Sequence, residues 1–309
     1  MIIGVISDTH GNMKLAHAAA DRLRPEVVLC IGDWPASKVL RGWVETSGAT
    51  VWMAGGRGDN RDVLHGRTRW IGGSLAFIAR SLPQAMETNG YERMWARFEA
   101  KARAALDARL EAETQLIEPK TAWLLARMLP AGSTLAVASS MPVRDVEYMA
   151  GPSDRRITPR CNRGANGIDG VVSTAVGAAL GSARTTGLLI GDVAFLHDSN
   201  GLIGLSERGL DVRMVVVDNR GGGIFSFLPQ RSALGAERFE KLFGTPHESD
   251  LALLARAHGL SAHVVSSTSE LQQAVAVGGP QVIIVKTNRD DNVSRHDEIH
   301  RALLDEVRL

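Results

Sequence analysis

Two apolar runs that each stop on a polar residue constrain this 309-residue chain more than anything else in it. The first, "TGLLIGD", ends on Asp192; the second, "VRMVVVDN", ends on Asn219. Short continuous apolar runs of this kind fit strands buried on both faces, as in the middle of a parallel sheet. Residues 171–183 have helical spacing ahead of the first run, and further helical stretches flank the second, so strands and helices alternate. In such a sheet the carboxyl ends of neighbouring strands share one edge, where ligands bind. A bare carboxylate there is expensive to desolvate, so Asp192 raises the question of its counter-charge.

The same alternation runs through the rest of the chain. Residues 2–7, 26–31 and 50–54 read as short buried strands, with helical spacing over 13–23 and 37–46. Residues 134–138, 186–191, 212–218 and 281–286 form a second set of strands, flanked by helical stretches at 120–129, 171–183, 250–258 and 268–277. The expected fold class is therefore α/β, with two parallel-sheet units. The first occupies 1–85; 86–116, rich in Ala, Glu and Arg, is a helical linker; and 117–309 is the second domain.

Composition narrows the function classes. A hydrophobic content of 44%, a charged content of 22% and a net charge of +1 describe an ordinary soluble protein, without the excess charge that would select nucleic acid or an anionic membrane as partner. Cys30 and Cys161 are too few for a disulfide framework and too scattered for a metal cluster. No apolar run reaches the length of a membrane span, and no secretory signal opens the chain. The expectation is a cytoplasmic enzyme or enzyme subunit.

Asp192, Asn219 and a carbonyl from the glycine run Gly221, Gly222 and Gly223 would offer three hard oxygen ligands at one sheet edge. Mg²⁺ takes such a partial set and completes its octahedron with phosphate oxygens and water. The glycines would also let backbone N–H groups approach an anion. On the residues alone, an Asp and an Asn after two strands equally fit the capping of turns and helices.

Longer segments favour the ligand reading. A Gly-Asp and a later Asn spanning a strand-helix-strand unit resemble the cofactor motif of thiamine-diphosphate enzymes, although the usual GDG and NN stand here as "GDV" (191–193) and "DN" (218–219). "ASSMPVRDVE" (138–147), "CNRGANGIDGVVSTAVGAA" (161–179), "GDVAFLHDSNGL" (191–202), "VVVDNRGGGIFSFLP" (215–229) and "FEKLFGTPH" (239–247) resemble one family of that superfamily, the MenD synthases of menaquinone biosynthesis. Residues 24–44 resemble part of that family's central domain.

The resemblance implies a thiamine-diphosphate-binding fold for 117–309 and a transferase that decarboxylates 2-oxoglutarate and adds the carbanion to isochorismate. It implies Mg²⁺ or Mn²⁺ held by Asp192, Asn219 and the Gly221 carbonyl, next to Gly191. Ile168 matches the apolar wedge under the cofactor; Ile224, Phe225 and Leu228 match an apolar wall. Arg144 and Arg163 match arginines that grip substrate carboxylates, the bidentate task for which arginine is suited, and Ser140 matches a polar site residue. Each arginine alone also reads as a structural ion pair. Lys38 aligns with a substrate-side lysine, although a solvated helix lysine fits it better. His197 reads as a structural histidine near the pocket, and Met141, Trp95 and Phe98 as packing residues.

The family's pyrimidine-binding domain, with its activating glutamate, has no counterpart in these residues. The expectation is half a site, feeble alone and completed by a pyrimidine-domain chain or within a homo-oligomer. The opening "MIIGVISDTHGN" instead resembles a calcineurin-type metallophosphoesterase, with Asp8 and His10 as ligands, then Asp33 and Asn60. That family's later histidines are represented only by His65. A metal-dependent phosphoesterase and a non-catalytic cofactor-binding subunit are thus the alternative readings.

Overall fold

The computed structural model describes residues 3–6, 26–31, 38–54, 68–81, 90–162 and 167–306. The chain forms two compact units, Met1–Ala105 with His300–Leu309, and Leu106–Ile299.

In the first unit, β1 (Ile3–Ile6), β2 (Val27–Ile31), β3 (Thr50–Ala54) and β4 (Thr68–Ile71) form a parallel sheet in that order. Alternation along β2 and β3 puts Val28, Cys30, Val51 and Met53 inward, where Trp43 and Val44 of α1 (Lys38–Thr46) complete a small core. Burial pushes the Cys30 thiol up to about 11, so it is an unreactive packing group. β4 was not expected from the sequence, because "TRWI" is largely solvent-facing. Its Arg69 pairs across from Trp52, with the guanidinium 5.5 Å from the ring centre. The helix expected over 13–23 lies outside the described residues. After α2 (Leu75–Ser81), the chain leaves this unit along the 22-residue helix α3 (Tyr91–Ala112).

In the second unit, six parallel strands lie in the order β6-β5-β7-β8-β10-β9. They are β5 (Thr134–Val137), β6 (Thr158–Cys161), β7 (Thr186–Gly191), β8 (Val212–Asp218), β9 (Ser261–Val265) and β10 (Gln281–Lys286). Both parallel sheets agree with the expected α/β class. The central strands are covered on both faces: Leu188, Ile190, Met214, Val216 and Ile284 join one apolar cluster, while Leu189, Val215 and Ile283 between them are equally buried. That double burial is why these strands read as unbroken apolar runs.

Helices α4 (Glu118–Met128), α5 (Met141–Met149), α6 (Val171–Ser182) and α7 (Asp192–His197) alternate with β5 to β8. Short helices α8 (Gln230–Ala233) and α9 (Ala236–Phe239) follow β8, and α10 (Leu251–Ala257), α11 (Thr268–Ala276) and α12 (Arg289–Glu306) complete the chain. A Cβ at Gly187 would stand 2.6 Å from Leu129 Cδ1, so glycine there lets the end of α4 lie against β7. The sequence reading missed both edge strands. β6 carries Pro159 and exposed Arg160, and β9 is mostly exposed, so neither shows the apolar run that marked the central strands.

Candidate functional site

β7 and β8 are adjacent, and their carboxyl ends bring together the residues that follow them. Asp192 begins α7 directly after β7, with 1% of its surface exposed. Its Oδ1 accepts from the Val193 N–H at 2.6 Å, and its Oδ2 from the Gly221 N–H at 3.0 Å. His247 Nε2 stands 3.2 Å from Oδ2, close enough to pair by charge but not aligned for a hydrogen bond. Burial pushes the Asp192 carboxyl up, and the two backbone donors and His247 offset only part of that.

Asn219 follows the last residue of β8 and is held by its donor end: Nδ2 donates to Glu118 Oε1 at 2.8 Å. Its acceptor end, Oδ1, is buried and has no hydrogen-bond partner. A buried carbonyl oxygen without a donor is costly and uncommon. Asp218 is as buried as Asp192, pairs with Lys286, and accepts from the Arg220 N–H at 3.3 Å. One ligand atom each from Asp192, Asp218 and His247 falls within a 4.8 Å group. Orphaned Oδ1, the Asp192 carboxylate and this clustering of negative charge fit a hard divalent cation. The residues present therefore suit Mg²⁺ or Mn²⁺.

The glycine run serves the loop itself. Gly221 has φ +150°, and a Cβ there would stand 2.1 Å from the Gly244 carbonyl oxygen. Its N–H goes to Asp192, that of Gly222 to the Gly244 oxygen at 2.8 Å, and that of Gly223 to the Gly221 oxygen at 3.0 Å. The expectation that these N–H groups face an anion is corrected: each is taken up in holding the loop. Arg289 clamps the same turn, donating to the Gly244 oxygen at 3.0 Å and to Glu240 at 2.8 Å.

The other expected residues are spread around this edge. Gly191 ends β7, and Ile168 is half-buried against the main core cluster. Ile224 and Phe225 lie on a single 3₁₀ turn, Gly223–Phe227, and half-buried Leu228 follows it; the Phe225 ring is 5.7 Å from that of Phe243. Ser140 caps the start of α5 at φ +73°, a left-handed conformation unusual for serine, and its carbonyl accepts from Arg144 Nη1 at 2.6 Å. Arg163, Asp8, His10, Asp33, Asn60 and His65 lie outside the described residues, as do the side chains of Lys38 and Trp95. Met141 is buried and Phe98 packs on Ala102, as expected of packing residues. His197, expected as a structural histidine near the pocket, is exposed at the end of α7. The neighbouring Asp198 does the structural work there, accepting from the Ser173 N–H at 2.8 Å at the start of α6.

Three residues escaped the sequence reading. His247 ends a matching segment but carries no spacing signal. Asp218 was read as strand. Glu118, 4% exposed at the start of α4, lies 101 positions from its partner Asn219. Burial and the nearby Asp145 charge push the Glu118 carboxyl up to about 7, despite hydrogen bonds from Asn219 and Thr287.

A profile described as "Thiamine pyrophosphate enzyme, C-terminal TPP binding domain" matches residues 157–285, the span that carries this edge. The synthase named 2-succinyl-5-enolpyruvyl-6-hydroxy-3-cyclohexene-1-carboxylate synthase, from Microcystis aeruginosa, is 39% identical over 261 residues, which is 84% of this chain and 45% of that protein. Its namesake from Chloroflexus aurantiacus is 40% identical over 288 residues, 89% of this chain and 48% of that protein. Over most of its length the chain is similar to the MenD-type thiamine-diphosphate enzymes. It spans about half the length of the MenD relatives it matches. A Mycobacterium smegmatis structure assigned as a thiamin diphosphate-dependent enzyme shares the fold, with a TM-score of 0.56 at 15% identity, covering 93% of this chain and 61% of that one. A second profile, "Calcineurin-like phosphoesterase superfamily domain", matches residues 1–114, well beyond the opening dozen that suggested it.

Proposed function

We propose that this chain supplies the metal- and diphosphate-holding side of a MenD-type synthase, a transferase acting on 2-oxoglutarate and isochorismate. The observation that carries the reading is the buried, partnerless Oδ1 of Asn219 at the strand end beside that of Asp192. Asp192 and Asn219 would hold Mg²⁺ or Mn²⁺ through their side-chain oxygens, with the Gly221 carbonyl as a third donor. Thiamine diphosphate, when bound, supplies the electron sink that makes decarboxylation of a 2-oxo acid accessible.

Ile168, Ile224 and Leu228 would give the cofactor an apolar wall, and Gly191 lets the backbone pass close to it. Arg144 and Arg163 would grip substrate carboxylates by paired hydrogen bonds, with Ser140 fixing the first arginine through its carbonyl. Phe225, braced by Phe243, would close the apolar side against water. Turnover is expected when a pyrimidine-binding domain meets this surface. Adding such a domain to the purified protein with Mg²⁺ and thiamine diphosphate should produce condensation of 2-oxoglutarate with isochorismate. A well-folded mixture that binds cofactor yet never condenses the two would count against the substrate assignment.

The match over residues 1–114 supports a second reading, a metal-dependent phosphoesterase. In sequence, Asp8 and Asp33 each follow the carboxyl end of one of two paired parallel strands, β1 and β2. Mn²⁺-dependent hydrolysis of p-nitrophenyl phosphate, lost in Asp8→Ala, would support it; no hydrolysis would remove it.

A further inference from the structure

Asn219 can serve a cation only through one end of its carboxamide. A half-turn of that group exchanges the oxygen for an NH₂, which repels a metal ion. Something must therefore fix which end faces the site.

We propose that Glu118 is a positioning residue that fixes the Asn219 carboxamide with its oxygen toward the metal. The inference rests on the reading of Asp192 and Asn219 as ligands. Glu118 Oε1 accepts from Asn219 Nδ2 at 2.8 Å, and an ionised carboxylate has no hydrogen to donate to the Asn219 oxygen, so the flipped state is penalised. The carboxyl is itself held from two other elements. Thr287, after β10, donates to Oε1 at 3.0 Å, and Asn292 of α12 donates to Oε2 at 2.9 Å. The Asn292 carbonyl in turn meets His296 Nδ1 at 2.8 Å, and His296 Nε2 meets Asp145 of α5 at 2.7 Å. Fixing Glu118 thus engages β8, β10, α5 and α12.

The alternative is a capping role for α4. A first-turn carboxylate does favour a helix start, but it does so at the surface, where it stays hydrated. Glu118 is buried instead, and it spends its acceptors on distant side chains rather than on N–H groups of α4. The cost of desolvating it is explained by what it orients. Gln at this position would keep an acceptor for Asn219. Its NH₂ could meet Asn292 Oδ1, a buried atom without a partner in the present arrangement, after a turn of the Asn292 amide.

The test titrates Mn²⁺ into the full-length protein with thiamine diphosphate present, read by electron paramagnetic resonance, for wild type, Asp192→Ala, Glu118→Gln and Glu118→Leu. Glu118→Leu should lose about 10–100-fold in Mn²⁺ affinity, the usual effect of losing a group that orients a ligand. Glu118→Gln should stay within about threefold of wild type, since the acceptor survives. A metal-free readout accompanies it: hydrogen exchange of the Asn219 side-chain NH₂, by selective ¹⁵N-asparagine labelling. That amide should be protected in wild type and Glu118→Gln and unprotected in Glu118→Leu. If the leucine variant does not fold, Thr287→Val, which removes one support of Oε1, should show the same direction in both readouts.

Wild-type Mn²⁺ affinity in folded Glu118→Leu, with Asp192→Ala still deficient, would overturn the proposal. So would an Asn219 amide that exchanges equally with and without Glu118. Should Asp192→Ala bind Mn²⁺ like wild type, the ligand reading itself fails, and amide exchange alone decides whether Glu118 orients Asn219.

Discussion

The large sheet has a charged cluster at each end, and the two are built on opposite principles. At the amino ends of its strands, Asp211 and Arg213 are closed. Arg213 Nε and Nη2 donate to the two Asp211 oxygens at 2.9 and 2.6 Å, Thr185 and Gly279 fill the remaining acceptor sites, and Arg213 Nη1 reaches the Val275 carbonyl at 2.6 Å. Burial raises the Asp211 carboxyl, but these donors more than offset it and hold it below the usual range. At the carboxyl ends, Asp192 is left with a raised pKa, and both Asn219 Oδ1 and His247 Nε2 lack hydrogen-bond partners. One cluster satisfies itself, as a structural element must; the other leaves buried polar atoms without hydrogen-bond partners.

The comparison predicts opposite responses to mutation. Asp211→Ala strands the Arg213 guanidinium and should cost about 2–4 kcal/mol, discounted because Asp211 itself is partly exposed, in urea denaturation. Cofactor titration of that variant should be unchanged. Asp192→Asn should do the reverse. It removes a poorly compensated buried charge but sets an NH₂ against one of the two backbone N–H groups that the carboxylate accepts, so the metal-free protein should melt within a few degrees of wild type, roughly 1 kcal/mol either way. Its Mg²⁺-dependent binding of thiamine diphosphate should fall by about 100-fold or more, beyond the loss expected for an orienting group. Strong destabilisation of Asp192→Asn would make this end structural too.

The Asp145–His296 pair behind the open cluster gives a pH signature. Burial favours neutral imidazole, but the Asp145 charge and hydrogen bond, with help from Asn292 and Glu118, win and raise the His296 pKa. A raised folded-state pKa contributes stability that is fully present below the unfolded value, about 6.5. It is lost as pH climbs through the raised value. Glu118, pushed up to about 7, acts in the same direction because its ionisation disfavours the folded state. The melting temperature should therefore decline from pH 6 to pH 9, and His296→Gln should flatten the decline. A profile identical to wild type would mean that the pair does not titrate with folding.

The smallest effect concerns Lys286, whose pairing with Asp218 trims the negative charge near Asp192. Lys286→Met should tighten Mn²⁺ about threefold while lowering metal-free stability, because a nearby carboxylate is left uncompensated. Weaker Mn²⁺ binding would place Asp218 outside the ion's influence.

The same contrast separates what could be read from the sequence from what could not. β7 and β8 were legible because burial on both faces leaves an unbroken apolar run, and the polar residues after them drew attention to that sheet edge. The edge strands β6 and β9 were not, since Pro159, Arg160 and the exposed face of β9 remove that signal. Asp192 and Asn219 stood out locally. Glu118 could not, because its role appears only when the fold joins the start of α4 to a residue 101 positions away. Asn292 and His296, one helical turn apart on α12, have a visible spacing, but nothing local says that they face a carboxylate. The glycine run was read as an anion cradle, because its closure by Gly244 and Arg289 is tertiary and leaves no local signal.

The most direct test of the open cluster is calorimetric titration of thiamine diphosphate into the protein with Mg²⁺, repeated with EDTA and with Asp192→Ala. Binding that requires Mg²⁺ and disappears in both controls is the predicted result. Binding indifferent to EDTA and to Asp192, or no binding by folded wild-type protein, would contradict the claim that this end of the sheet is built to hold a divalent ion and its diphosphate.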